Sequence, residues 1–108
     1  MIPKRRDMKK ATMPNGYNPS ILNTHEGRCY LCGRYGETAR HELYYGNYRK
    51  TSKLYGLWVN LCPACHNTIH MHGDIARSLR KVAQEAAMDK HGWTVNDFRD
   101  FFGRSDLL

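Results

Sequence analysis

Two stretches, Cys29-Tyr30-Leu31-Cys32 and Leu61-Cys62-Pro63-Ala64-Cys65-His66-Asn67-Thr68-Ile69-His70-Met71-His72-Gly73, hold all four cysteines of the 108-residue chain. Each pair has the CxxC spacing that turns two thiolates toward one point, and two such pairs complete a tetrahedral zinc site. Redox pairs or disulfides are the competing readings of the same spacing, but the chain reads as intracellular, where CxxC pairs favour metal. Pro63 suits the first position of a helix and Gly73 the position just past its end, so a helix of about two turns follows the second pair. On that helix His66 and His70 stand four residues apart and share a face, a common spacing for two imidazoles on one cation. His72 points elsewhere and reads as a surface residue, while His25 and His91 have no partner at ligand spacing.

The 29 residues between the cysteine pairs exceed the roughly 15–20 of a simple zinc ribbon, so an element is inserted there. Residues 40–45 and 57–61 are rich in aromatic and aliphatic strand formers. Gly46, Asn47, Lys50, Ser52 and Gly56 lie between them, which predicts a β-hairpin with a long basic loop. Beyond Gly73, Ile75, Leu79, Val82, Ala83 and Ala86 recur at helical spacing up to His91-Gly92. Thr94 and Asp97 then have the spacing of a capping box opening a second helix, whose apolar face is Trp93, Phe98, Phe101 and Phe102, ending at Gly103. These aromatics read as core.

The chain carries 17 Lys+Arg against 10 Asp+Glu, a net charge of +7, and this points to a polyanionic partner. No stretch approaches the roughly 18 apolar residues of a membrane helix, and no apolar run follows the basic N-terminus as in a secretory signal. Membrane anchors, transporters, secreted disulfide scaffolds and large multidomain enzymes are thereby excluded as expectations. Residues 1–24 contain Lys4, Arg5, Arg6, Lys9 and Lys10 against Asp7 alone, a charge of +4, and read as a flexible or draped basic arm. Residues 25–108 form the domain, divided into a hairpin-helix unit over 28–73 and a helical pair over 74–104. A body this small is marginal on its own core. Zinc on Cys29, Cys32, Cys62 and Cys65 would supply the missing stability, on the order of 10 kcal/mol of coupled folding free energy.

These residues resemble the HNH nucleases of the ββα-metal type, in particular small phage and prophage HNH-like proteins, over residues 28–104. The frame that carries the resemblance is Cys29-x2-Cys32, then a His-containing strand, a loop, and Leu61-Cys62-Pro63-x-Cys65-His66 with His70 following. It implies a small α+β, zinc-stabilised treble-clef fold with two C-terminal helices, and a metal-dependent DNA endonuclease. Transferred to this chain, the strand pair is His41-Glu42 and the helix ligands are His66 and His70. Family members place the histidine second in the strand pair, whereas here it comes first, and Leu57 stands where many have Asn.

Phosphodiester hydrolysis needs a base for water, a cation on the phosphate and stabilisation of the leaving oxygen. His66 and His70 plus one strand residue would leave open positions on Mg2+, Mn2+ or Zn2+. In one arrangement His41 completes the metal site and Glu42 is the base. In the other Glu42 binds metal and His41 is the base, which family usage favours and an unperturbed pKa of about 6.5 suits. Around the loop, Arg40, Arg49, Lys50 and Lys53 alternate with tyrosines, a composition that suits DNA phosphates. The rival readings are a non-catalytic zinc-dependent nucleic-acid-binding or recombination accessory protein, and a phage protein that binds a host enzyme. Paired cutting of two strands would call for a homodimer, no membrane is implicated, and a phage-encoded chain would work in the cytoplasm of its bacterial host.

Overall fold

The computed structural model describes residues 10–107. It is an α+β arrangement with one two-stranded sheet and four helices. Strand β1 (Ala39–Glu42) pairs antiparallel with β2 (Trp58–Leu61), with His41 opposite Val59 and Glu42 opposite Trp58. The paired strands are shorter than the apolar runs that announce them. Beyond Glu42 the pairing continues only through the bond from Leu43 N–H to the Leu57 carbonyl, at 3.0 Å. There the chain splits, and the Ser52 hydroxyl stands in for a partner strand: it donates to the Tyr44 carbonyl at 2.6 Å and accepts from Tyr44 N–H at 3.1 Å.

The stretch predicted as a long loop is ordered. A 3-10 turn over Gly46–Tyr48 feeds helix α1 (Arg49–Tyr55), closed by Gly56 in the left-handed region at φ +74°. Turn-forming residues suggested a loop, but Ser52, Leu54 and Tyr55 bury one side of this turn-rich segment, and that burial stabilises a short helix which propensity alone would not. Gly56 is required for a second reason, since a Cβ there would stand 2.3 Å from the Pro19 carbonyl oxygen.

That contact belongs to a segment expected in the N-terminal arm. Residues 17–24 are laid along α1 and β2. Tyr17 is buried edge-on against Trp58, Asn18 donates to the Leu54 carbonyl at 2.9 Å, and the Trp58 indole donates to the Asn18 carbonyl at 2.8 Å. Thr24 Oγ1 accepts the Asn60 N–H at 2.9 Å and Tyr30 N–H donates to the Asn60 carbonyl at 2.8 Å, so the outer edge of β2 is covered. Residues 1–9, where four of the five arm cations lie, fall outside the described residues.

Helix α2 (Pro63–Met71) begins at Pro63 as its sequence predicts, with Cys62 as N-cap. It ends at Met71 with extended His72 as C-cap, and Gly73 next to that cap opens helix α3 (Gly73–His91) instead of taking a left-handed turn. The face of α3 is rotated from the predicted one. Ala76, Leu79, Ala83, Gln84 and Ala87 are buried, while Val82 is 44% exposed. Gln84 is tolerated inside because its amide donates to Ser105 Oγ at 2.9 Å and its carbonyl accepts Asp106 N–H at 2.7 Å. Helix α4 (Val95–Phe102) carries the predicted capping box, with Thr94 and Asp97 exchanging bonds of 3.0 and 3.1 Å. Trp93 stacks on Phe101 and Phe98 on Phe102, and Tyr44 and Tyr55 pack against these rings, so the aromatic cluster is core. No helix among the described residues is long and apolar enough to cross a membrane.

Candidate metal centres

Helix α2 supplies side chains to two clusters, one at its start and one a turn further on. At the start, Cys62 and Cys65 meet Cys29 and Cys32, and all four Sγ atoms lie within 4.8 Å of one another. The second CxxC turn is formed by the N-cap itself, where Cys62 Sγ accepts the Cys65 N–H at 3.4 Å. The first is a tight loop closed by the Gly33 N–H bond to the Cys29 carbonyl at 2.9 Å, with Gly33 at φ +77°. A tetrahedral zinc with Zn–S of about 2.3 Å has sulfurs about 3.8 Å apart, and Cys32 Sγ and Cys62 Sγ stand at 3.9 Å.

The chemistry of the donors agrees with that geometry. Burial alone would raise the Cys29 thiol, but backbone groups of Cys32, Cys62 and Leu31 directed at its sulfur bring it down to about 6. Burial and the neighbouring sulfurs of Cys29, Cys62 and Cys32 push Cys65 up to about 12. Anionic sulfurs crowd one another here unless a cation lies between them. The four cysteines therefore fit a metal ion, with no disulfide among them.

The second cluster is made of His41, His66 and His70, again with ligand nitrogens within 4.8 Å of one another. His66 and His70 are one helical turn apart, with Nε2 atoms 3.4 Å from each other. His41 comes from β1, its ring centroid 5.1 Å from that of His66 and 5.9 Å from that of His70. His41 is buried, His66 half-buried and His70 exposed, so the cluster is open on one side. Burial, and then the facing charges of His66 and His70, push the His41 imidazole down to about 4. A neutral imidazole with a free lone pair is the form that binds a cation, and three imidazoles with an open side suit Zn2+ or another divalent ion.

Glu42 is not brought to this cluster. Successive strand residues point to opposite faces, and the buried Glu42 carboxylate accepts from the Tyr17 hydroxyl and, at 2.8 Å, from Arg49 Nε. Burial and that carboxylate push the Tyr17 hydroxyl up to about 12. Of the two arrangements open from the sequence, the geometry matches His41 joining the helix pair, and it places Glu42 in an ion-pair network instead of at a metal. Leu57 is fully buried in the core and contributes nothing polar.

The predicted nucleic-acid contacts divide in two. Arg49, Lys50 and Lys53 lie together on α1 beside Asn15 and Asn47. Arg40 instead lies over the rings of Tyr17 and Trp58, 4.5 and 5.0 Å from their centroids. Sequence reasoning missed Tyr17, because it sits in the segment read as an arm, and counted Lys10 there only as an arm cation. The one signal available was aromatic: Tyr17 is the only ring within residues 1–24. No family model, curated protein or solved structure matches this chain.

Proposed function

We propose that this chain is a zinc-stabilised treble-clef protein of HNH type that hydrolyses phosphodiester bonds in DNA with a divalent cation. The observation that carries the reading is the meeting of strand residue His41 with the His66/His70 pair on the helix whose first turn bears Cys62 and Cys65. In this reading zinc on the four cysteines fixes the start of α2 against the Cys29–Cys32 loop, and thereby the direction in which His66 and His70 project. His41, His66 and His70 hold the second cation on their open side. That cation would supply positive charge at the scissile phosphate. Burial keeps His41 neutral and oriented, while the exposed His70 borders solvent, from which both water and substrate arrive.

The test is nicking of supercoiled plasmid by the purified protein with Mg2+ or Mn2+ added. His41→Ala and His66→Ala should each abolish nicking while zinc content and circular dichroism stay as in the wild type. Nicking that survives both substitutions removes these histidines from the site. A second reading, a non-catalytic zinc-dependent DNA-binding protein, is favoured by one observation: with all three imidazoles as ligands, the cluster contains no carboxylate to serve as base. It predicts salt-sensitive binding and no cleavage with any divalent ion.

A further inference from the structure

Outside the two clusters, an open cleft of about 810 Å³ lies between the N-terminal segment and α1. Its polar lining is Lys10, Asn15, Asn47, Arg49, Lys50 and Lys53, four cations with no carboxylate. Lys53 stitches the two walls together, donating to the Asn15 carbonyl at 3.2 Å. Lys10 and Lys50 are exposed and have no acidic partner among the described residues. Arg49 is held differently. Its Nε is taken by Glu42, a buried side chain that also accepts from Tyr17, and its side chain is 61% exposed.

We infer that this cleft binds the phosphate backbone of a nucleic-acid strand, and that Glu42 is a positioning residue that aims Arg49 into it. The inference rests on the nucleic-acid part of the reading above and extends it to a second surface. Lys10, Lys50 and Lys53 have no acidic partner among the described residues, and their positive field is one that a polyanion satisfies. The volume falls in the range of about 300–1,000 Å³ typical of sites for small organic ligands, more than a lone phosphate ion occupies. The lining presents no aromatic ring for base stacking, so contacts here are to backbone phosphates and carry no sequence information. Arg49 uses Nε on Glu42 and keeps its two terminal nitrogens for a forked contact with phosphate oxygens. Glu42 and His41 are adjacent on β1, so one strand supplies a ligand to the histidine cluster on one face and anchors the cleft on the other.

The experiment is anisotropy of a short fluorescein-labelled DNA duplex with the full, zinc-loaded chain, no other divalent ion added, over a series of salt concentrations. Lys10→Glu and Lys50→Glu, both at exposed positions, should each weaken binding about tenfold. Each should also reduce the slope of log K against log salt by about 0.9. Lys81→Glu, exposed on α3 away from the cleft, should change binding by less than about twofold once salt screens it. Glu42→Gln should weaken binding as Arg49→Ala does, and the double variant should be no weaker than Arg49→Ala alone. That non-additivity is what a purely structural Glu42 would not produce. If Glu42→Gln fails to fold, the exposed lysine variants decide the matter.

Binding by Lys10→Glu and Lys50→Glu within twofold of wild type overturns the cleft. So does displacement of the duplex by polyglutamate at equal charge concentration, which would point to an acidic protein partner. Cleft-dependent binding without cleavage under any metal overturns the hydrolase and leaves the cleft standing. Cleavage with unchanged KM in both lysine variants overturns the cleft and leaves the hydrolase.

Discussion

The two clusters on α2 are built from adjacent turns of one helix, yet they differ in every property that decides what a bound ion can do. The cysteine cluster has four soft donors converging from two tight loops, with Cys29 and Cys62 buried. Four thiolates fill a tetrahedral ion and leave it no open position, so the ion holds chain segments together. The histidine cluster has three donors, one buried and one exposed, and an open side. Three donors leave room for water or a substrate oxygen. Closure, more than the metal itself, separates a staple from a reaction centre.

The largest effect expected of breaking this contrast is at the cysteines. Cys29→Ser, or chelation of the wild type, should unfold the chain, because coupled folding free energy on the order of 10 kcal/mol is lost. Collapse of the far-UV circular dichroism would show it, and a folded, cooperative Cys29→Ser protein would contradict the staple. Removing the open cluster should do the reverse. His41→Ala should leave the fold and one tightly held zinc in place and abolish plasmid nicking, because the second cation loses one of its three ligands.

Acid should distinguish the clusters next. An unfolded histidine titrates near 6.5, whereas native His41 titrates near 4 when no cation occupies the imidazoles. From about pH 6.5 downward the unfolded state takes up a proton that the native state refuses, so stability present above 6.5 is lost as pH falls toward 4. Thermal unfolding of wild type and His41→Gln across that window should converge as the pH falls. A constant difference would mean that His41 is not held neutral. The smallest effect belongs to the exposed end of the cluster. His70→Gln should change stability by no more than about 0.5 kcal/mol, as surface changes do, while metal titration should show the second site weakened.

Much of this was legible along the chain. Pro63 and the CxxC spacing placed the start of α2, Thr94 and Asp97 placed α4, and Gly92 closed α3 in the left-handed conformation, because caps and turns are local chemistry. Helix α1 was not legible. Its seven residues are flanked by the turn formers Gly46, Asn47 and Gly56 and are too few to hold a helix alone, and it exists because Ser52, Leu54 and Tyr55 find a core to bury against. Nor was the rotation of α3, where Val82 and Gln84 exchange the environments their polarity predicts. Gln84 goes inside because the chain beyond α4 returns to satisfy both ends of its amide.

By itself, the sequence determined which residues could bind metal and at what local spacing, since CxxC turns and an i, i+4 histidine pair are properties of a few consecutive residues. It also determined the basic balance and the aromatic core of the last two helices. Long-range packing alone brings His41, 25 positions before His66, to the helix pair and keeps its neighbour Glu42 away from it. The alternation of a strand sends adjacent side chains to opposite faces. Which face meets α2, and which meets Tyr17 and Arg49, depends on how distant segments pack.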